Sequence, residues 1–370
     1  MNLKDKICSF DSLYTAMLSC KKGVFWKPSV QTFWLCPMNR LTKLEQDLLS
    51  DKYQISPYSK FVVFEPKRRD ILATKLRDRI FQRSLCTNYL YETLVNSFIV
   101  DNAACQKGGG TEFSRKRLVE HLRRFYVENE TNEGWALKID IKNYFGSTPH
   151  YIAKEAVEKR VTNKWVREKV YQVIDSFPGE IGMGLGSELV QLIQLAVLDD
   201  LDHHIKEFLK VKHYVRYMDD MILIHKDKDT LKEFLEKISF ELKMLDLQVN
   251  KNKTTISRLE HGVKYLGSKY CLTNTGKITA TVLDTKLNNE KRHLKSIVNL
   301  AKNPNSPVDK ETADSCFFSY ISYISNSRKH AIRTNGRIIE KMFKYYDDLW
   351  NGYEDCGSFT NNDLNCGIII

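Results

Sequence analysis

The stretch His213-Tyr214-Val215-Arg216-Tyr217-Met218-Asp219-Asp220-Met221-Ile222-Leu223-Ile224-His225 holds two short β-prone segments around a polar centre. This pattern predicts a hairpin with strands His213–Tyr217 and Met221–His225, separated only by Met218-Asp219-Asp220. Adjacent carboxylates repel each other, so one should take up a proton unless a cation neutralises the pair. A metal site at the tip is one reading, and a solvated turn is the other, since most Asp-Asp pairs in loops are turns.

A second acidic residue lies upstream, in a segment with the two-residue period of a strand. Trp135, Leu137 and Ile139 alternate with residues that include Asp140, which places this carboxylate on the face opposite those apolar side chains. If this strand neighbours the hairpin, the three acidic residues could hold two Mg²⁺ ions. One ion would lower the pKa of an attacking hydroxyl and the other would neutralise a leaving pyrophosphate. That chemistry is nucleotidyl transfer.

The rest of the chain predicts a mixed set of elements around these strands. Strands are expected in a basic hairpin over residues 61–73 and in a second hairpin over residues 262–282, which turns at Asn274–Gly276. Helices are expected over residues 111–128, 188–209 and 231–245, and again from about residue 284 to 350. The residues after 350, rich in Asn and Gly, are expected to form an appended tail.

Composition agrees with a globular protein and excludes several classes. The 370 residues (43.2 kDa) are 42% hydrophobic and 28% charged, which excludes collagen-like, disordered and membrane-spanning chains. No secretory segment is recognisable, so a cytoplasmic location without membrane contact is expected. The nine cysteines include no Cys-x-x-Cys pair and indicate neither a disulfide framework nor a zinc site. A formal charge of +11 favours polyanionic partners.

Tyr217-Met218-Asp219-Asp220 between two apolar strands resembles the active-site box of reverse transcriptases, and further segments resemble the other boxes of that family in order. They are Arg69 with Arg77-Asp78-Arg79, Asp101 to Thr111, Asp140 to Phe145, Gly184-Leu185-Gly186 with Gln191, Lys253-Thr254, and Tyr265-Leu266-Gly267. The segment Lys107-Gly108-Gly109-Gly110-Thr111 and the compact length are most similar to prokaryotic enzymes of diversity-generating retroelements and of defence-associated (unknown group) and abortive-infection groups.

The resemblance implies an α+β right-hand polymerase, with an antiparallel palm sheet backed by helices and a helical thumb. The expected division is an amino-terminal extension (1–60), fingers (61–135), palm with the catalytic carboxylates (136–275), thumb (276–350) and tail (351–370).

The resemblance also implies roles for individual residues. Asp140, Asp219 and Asp220 are the expected catalytic residues and metal ligands. Ile141 is a further expected metal-binding residue. Lys253 would donate a proton to the leaving pyrophosphate. The expected dNTP-binding residues include Phe145 as a gate against the ribose 2′-hydroxyl and Arg69 as a clamp on the triphosphate; the set is Lys67, Arg69, Phe145, Gly186 and Gln191. The expected nucleic-acid-binding residues are Lys107, Gly109, Gly184, Tyr217, Gly267, Lys291 and Arg292.

For most of these residues the sequence leaves an ordinary structural role open. Phe145 could be a core aromatic, Lys67 and Arg69 a solvated basic turn, and Gly182–Gly186 a turn that needs no ligand. Two departures from the family pattern stand out: Leu185 replaces a frequent Gln, and Val190 replaces the Ser that usually precedes Gln191. Loss of these polar contacts predicts relaxed fidelity or an unusual product. Val190 also favours the defence-associated groups over the diversity-generating one.

The expected activity is therefore RNA-directed DNA polymerase, an enzyme that uses two Mg²⁺ ions, or Mn²⁺ in their place. The expected partners are dNTPs, a DNA product or primer and an RNA template in the form of a structured noncoding RNA. A second copy of the chain or a defence protein is a further candidate, and the expected role is antiviral defence. The alternatives are a mutagenic diversity-generating enzyme, a catalytically inactive RNA-binding scaffold, or a metal-dependent nuclease built on the same acids.

Overall fold

The computed structural model describes residues 2–64, 68–106, 108–326 and 336–351. Lys67 and Lys107, two of the predicted site residues, lie outside the described residues, as does nearly all of the predicted tail.

The amino-terminal segment is helical. Its helices are α1 (Leu3–Cys8), α2 (Phe10–Lys21), α3 (Pro28–Leu35) and α4 (Pro37–Leu49). Proline at the first position begins α4, and its apolar residues at helical spacing, Leu41, Leu44 and Leu48, are fully buried.

A two-stranded hairpin follows, with β1 (Ser59–Val63) antiparallel to β2 (Arg69–Ala73), so the predicted basic hairpin is confirmed. Next come α5 (Leu76–Leu85), a π-helical turn at Cys86–Leu90 and α6 (Tyr91–Val95). Helix α7 (Thr111–Asn129) confirms the helix expected over residues 111–128.

The central sheet has four strands. They are β3 (Trp135–Asp140), β4 (His213–Tyr217), β5 (Asp220–His225) and β6 (Thr255–Arg258), in the order β4-β5-β3-β6. Strand β4 is antiparallel to β5, and β3 is antiparallel to β6. The predicted hairpin is confirmed, but its turn has two residues rather than three, because Asp220 already pairs with Tyr217.

Six helices lie between or after the strands of this sheet. They are α8 (Tyr144–Ser147), α9 (His150–Glu158), α10 (Lys164–Asp175), α11 (Glu188–Val197), α12 (Asp199–His203) and α13 (Lys228–Met244).

The single long helix predicted over residues 188–209 is wrong. Leu198 (φ −96°, ψ 3°) separates α11 from α12, and a π-helical turn at His204–Phe208 follows. The cause is tertiary: Asp199 and Asp202 are buried, and Asp199 pairs with Arg160 over 2.9 Å. The apolar periodicity continues through these residues and therefore concealed the break.

The carboxyl-terminal part has a three-stranded antiparallel sheet and three helices. The strands are β7 (Val263–Tyr265), β8 (Ser268–Leu272) and β9 (Ile278–Val282). The helices are α14 (Asp284–Ala301), α15 (Lys310–Asn326) and α16 (Gly336–Asn351). The turn at Asn274–Gly276 is as predicted. The hairpin's first arm, expected as one strand, is divided at Leu266-Gly267, where a second turn separates β7 from β8.

The chain forms two compact units. One takes the residues up to Gly110, Asp140–Lys210 and Glu236–Asn250; the other takes Thr111–Ile139, Val211–Leu235 and the described residues from Lys251 onward. The second unit holds one buried apolar cluster between α7 and the strands and another among α14, α15 and α16. Helices and antiparallel strands thus coexist, which confirms the α+β class. Among the described helices, none has the length and apolar character needed to cross a membrane.

Candidate active site

The two-residue turn between β4 and β5 is held in an unusual backbone conformation. Met218 has φ 54°, a left-handed value that a non-glycine residue rarely adopts. The fully buried guanidinium of Arg216 donates a hydrogen bond from Nη1 to the Met218 carbonyl over 3.0 Å. Tyr217 is partly buried and packs against the apolar cluster under the sheet. The turn that presents Asp219 is therefore fixed from below by side chains of β4.

Asp220, the first residue of β5, forms an ion pair across the sheet. Its Oδ1 lies 3.0 Å from Nζ of Lys138 on β3, and both side chains are largely buried. Side chains two residues apart share one face of a strand, so Lys138 and Asp140 lie on the same face of β3. Sequence reasoning missed Lys138, because its partner is known only once β3 is placed beside β5.

Asp140 ends β3 and is 5% exposed. Nδ2 of Asn250 donates to its Oδ1 over 2.8 Å, and the Asn250 main-chain N–H donates to its carbonyl over 2.7 Å. Ile141 bridges Val249 in the same segment. The Asn250 amide thus orients the Asp140 carboxylate. Sequence reasoning missed Asn250, although it begins the Asn250-Lys251-Asn252-Lys253 segment.

Phe145 lies at the start of α8, after a left-handed Asn143 (φ 48°). It is half-buried, its ring lies against Tyr144, and its carbonyl accepts a hydrogen bond from the Met183 N–H over 2.8 Å. A partly exposed aromatic ring tied to the glycine loop is compatible with the predicted gate.

Glycine is required at some positions of the predicted contact loops by packing, and at others it is not. A Cβ at Gly184 would lie 2.8 Å from the Phe177 ring and 2.9 Å from the Leu72 Cβ, so packing within the first unit requires glycine there. A Cβ at Gly109 would lie 2.7 Å from the Ala103 carbonyl oxygen. Gly186, in contrast, has φ 108° and open space around its Cβ position. Of these three glycines, Gly186 is the one whose side-chain position is not filled by a neighbouring group.

The remaining predicted residues of the catalytic and nucleotide-binding sets lie on β2, before β6 and on α11. Arg69 is exposed as the first residue of β2, opposite Val63. Lys253 is also exposed and precedes β6. On α11, Oε1 of Gln191 accepts a hydrogen bond from Sγ of Cys105 over 3.4 Å, and Val190 is fully buried. A serine at position 190 would place its hydroxyl at a fully buried position.

The thumb candidates divide into a buried and an exposed member. Lys291 is 5% exposed, and its Nζ lies 4.1 Å from the Tyr345 ring centroid. Arg292 is exposed and bonds within its own helix. Arg292 is therefore the residue of this pair that faces solvent. Gly267 follows Leu266 in the β7–β8 turn, where both have positive φ.

Within the described ranges, no group of three or more His, Cys, Asp or Glu side chains is arranged to hold a metal ion. Instead, one carboxylate oxygen of Asp220 forms an ion pair with the Lys138 ammonium. One carboxylate oxygen of Asp140 accepts a hydrogen bond from the Asn250 amide.

Comparisons with known proteins give one family and several distant structures. The profile described as "Reverse transcriptase (RNA-dependent DNA polymerase)" matches residues 73–270, more than half of the chain. No curated protein matches. Apo telomerase from Candida tropicalis is 14% identical, with a TM-score of 0.49, over 80% of this chain and 63% of that one. Telomerase from Candida albicans with a fragment of telomeric RNA is 12% identical, with a TM-score of 0.49, over 85% and 63%. The chain thus spans less than two thirds of these proteins.

Proposed function

Because the chain belongs to the reverse transcriptase family, whose polymerase fold it shares, we propose that it is an RNA-directed DNA polymerase. It would add deoxynucleotides to a primer hydroxyl opposite an RNA template and release pyrophosphate. The observation that carries the proposal is the β4–β5 hairpin, which presents Asp219 at a rigid two-residue tip. Strand β3, which ends in Asp140, is the next strand of that sheet.

The proposed metal ligands are Asp140, Asp219 and Asp220, with the main-chain carbonyl of Ile141 as a further oxygen. The donor chemistry fits, because Mg²⁺ is bound through hard oxygen ligands and by carboxylates above all. The Lys138 ammonium already pairs with Oδ1 of Asp220, so a metal ion at this carboxylate would bind through Oδ2 or displace the lysine. Two bound Mg²⁺ or Mn²⁺ ions would activate the primer hydroxyl and neutralise the leaving pyrophosphate.

Three further residues of the chain would orient these carboxylates. Asn250 holds one oxygen of Asp140, Lys138 holds one oxygen of Asp220, and Arg216 fixes the turn that carries Asp219. Such positioning strongly affects the rate of catalysis, because displacement of a reacting group by about 1 Å can lower the rate about 10²-fold.

Substrate selection is proposed for residues of the first unit. Arg69 would clamp the triphosphate, since an exposed forked guanidinium suits phosphate oxygens. Phe145 would exclude a ribose 2′-hydroxyl, while Gly186 and Gln191 would contact the nucleotide, with Lys67 as a further candidate. In the second unit, Lys253 would donate a proton to the leaving pyrophosphate.

The nucleic-acid contacts remain proposals of unequal weight. Exposed Arg292 and partly buried Tyr217 can be reached from solvent, whereas Gly109, Gly184 and Gly267 already have structural reasons to be glycine. Lys291 would need to leave the Tyr345 ring, and Lys107 is retained from the sequence alone.

The biological setting is also proposed. The Lys107–Thr111 segment supports a prokaryotic enzyme of the diversity-generating or defence-associated groups, and Val190 favours the second of these. The proposed role is antiviral defence by copying a dedicated structured noncoding RNA. A second copy of the chain or a defence protein as partner, and the cytoplasmic location, stay predictions. Infection of cells carrying the natural gene or the Asp219→Asn variant tests the defence role, which predicts protection by the natural gene alone.

Primer extension tests the activity. Purified protein, an annealed DNA primer on RNA template, Mg²⁺ and dNTPs should give templated DNA, and Asp219→Asn should lower the rate by at least about 10²-fold. Asp229→Asn, at an exposed carboxylate of α13, is the matched control and should extend normally.

Each alternative has its own outcome in this experiment. RNA binding without extension by the natural protein would indicate an inactive scaffold. Degradation of labelled RNA without dNTPs would indicate a nuclease. Equal extension by Asp219→Asn and the natural chain would contradict the proposed site.

A further inference from the structure

A polar cavity of about 150 Å³ lies in the first compact unit, between α2, α5 and the start of α11. Its lining residues are Ser19, Cys20, Arg79, Gln82, Arg83 and Gly186–Glu188. Apart from Gly186, none belongs to the residues proposed above for catalysis or nucleotide binding.

Two hydrogen-bond donors at this cavity have no partner among the residues that the structure describes. Gln82 is 3% exposed; its Oε1 accepts a hydrogen bond from Ser187 Oγ over 2.7 Å, which turns its Nε2 away from that serine. In the described part of the chain, this Nε2 has no hydrogen-bond partner. The half-buried guanidinium of Arg79 likewise has no hydrogen-bond or ion-pair partner among the described residues. A buried donor without an acceptor costs about 1–3 kcal/mol, so an acceptor from outside the chain would be stabilised here.

The charges at the cavity favour an anion. The carboxylate of Glu188 accepts hydrogen bonds from Arg83 and from the Tyr91 hydroxyl, so its charge is matched within the chain. Arg79 is left as the uncompensated charge. Helix α11 begins at this cavity with Ser187 as its N-cap, and a helix amino terminus adds a partial positive charge with free main-chain N–H groups.

We propose that this cavity is a binding site for a single phosphate group, either free or carried by a nucleic-acid strand. The Arg79 guanidinium and the Gln82 amide would donate to the phosphate oxygens, and the start of α11 would face them. A guanidinium fork matches phosphate geometry, and a polymerase of this charge meets phosphates as strands and as nucleotides. The assignment rests on these donors and not on the catalytic carboxylates.

Binding is measured on the full chain without divalent cations or dNTPs, so the result is separate from any failure of polymerisation. The probes are inorganic phosphate and a short single-stranded RNA with hydroxyl ends, which carries only phosphodiesters. Arg79→Gln should weaken binding of the preferred probe by about tenfold or more, the loss expected for one charged hydrogen bond. The control Arg124→Gln removes the same charge from an exposed position on α7 and should change affinity less than about twofold.

A second measurement needs no variant. Phenylglyoxal modifies accessible guanidinium groups, and saturating probe should protect Arg79 but not Arg124, as mapped by mass spectrometry. Protection by phosphate alone would identify a free phosphate or nucleotide site, and protection by RNA alone a strand-backbone site. The proposal would be overturned if neither probe protected Arg79, or if Arg79→Gln and Arg124→Gln weakened probe binding equally.

Discussion

At Arg216 a fully buried guanidinium donates to the carbonyl of Met218, a residue held at φ 54°. A left-handed conformation at a non-glycine residue persists only when its surroundings enforce it. The orientation of Asp219 at the tip thus depends on a charge beneath it. The sequence shows an arginine within the strand, but it does not show that the partner of this arginine is the Met218 carbonyl.

Arg216→Lys should therefore reduce activity beyond its effect on stability. The shorter, unforked ammonium cannot reproduce the hydrogen bond to Met218, and we expect a loss of about 1–3 kcal/mol of unfolding free energy with a fall in kcat of about tenfold or more. Urea denaturation and primer extension well below the unfolding temperature measure the two effects. Arg258→Lys, on the exposed side of β6, is the control. Natural kcat in the Arg216 variant would contradict this role of the guanidinium.

His213 gives the fold a dependence on pH. Burial lowers its pKa from the ordinary 6.5; His121 and Lys212 also lower it, and nearby Glu128 opposes the shift. Below pH 6.5, His213 is protonated in the unfolded chain but stays neutral in the folded chain. The free energy of unfolding therefore decreases as the pH falls, by at most about 1.4 kcal/mol per pH unit.

Unfolding temperatures recorded between about pH 8 and about pH 5 test this expectation. The natural chain should lose more stability than His213→Gln over that interval. His261→Gln, at an exposed histidine, should follow the natural chain. Parallel curves for the natural chain and His213→Gln would show that another group sets the acid sensitivity.

Among the secondary-structure elements, the β7–β8 hairpin gives a conformational reason for glycine at position 267, a predicted nucleic-acid contact. Leu266 (φ 44°) and Gly267 (φ 85°) form a two-residue turn between the paired Tyr265 and Ser268. Both central residues of this turn type need positive φ, which glycine or asparagine adopts readily. The turn is fastened to α7, since Arg115 donates to the Leu266 carbonyl over 2.7 Å.

Gly267→Ala should cost about 1–2 kcal/mol of unfolding free energy, because alanine is strained at positive φ, and Gly267→Asn should cost less. Denaturant titration measures both, and extension activity separates conformation from contact. Activity that recovers with stability in Gly267→Asn would assign the glycine to the turn. Activity that stays low in a stable Gly267→Asn would support the predicted nucleic-acid contact.

The sequence predicted those elements whose pattern is local. Strands β4 and β5 and helix α7 follow from periodicity, and Asp140 and Asp219 stand out because acids are rare inside such patterns. The three-residue β7 and the break at Leu198 were not predictable, since buried Asp199 and its partner Arg160 are far apart in sequence. Lys138 and Asn250 were missed for a similar reason: their roles depend on which strands and segments become neighbours.

For the whole molecule, the proposed activity depends on carboxylates that are far apart in the sequence. Asp140 ends β3, Asp219 lies in the β4–β5 turn and Asp220 begins β5. The proposal requires that their carboxylates act together once the sheet is assembled and a primer, template and nucleotide are bound. The fixed hairpin turn and the neighbouring positions of β5 and β3 support this proposal.

The most direct test is the anomalous scattering of Mn²⁺ in crystals of the protein with a primer, an RNA template and a non-reactive dNTP analogue. We expect two peaks about 3.5–4 Å apart, both within coordination distance of the three carboxylates. The Asp219→Asn protein should lose at least one of them. Peaks at other residues, or a bound nucleotide whose metal ions do not touch Asp140, would contradict the assignment of this site.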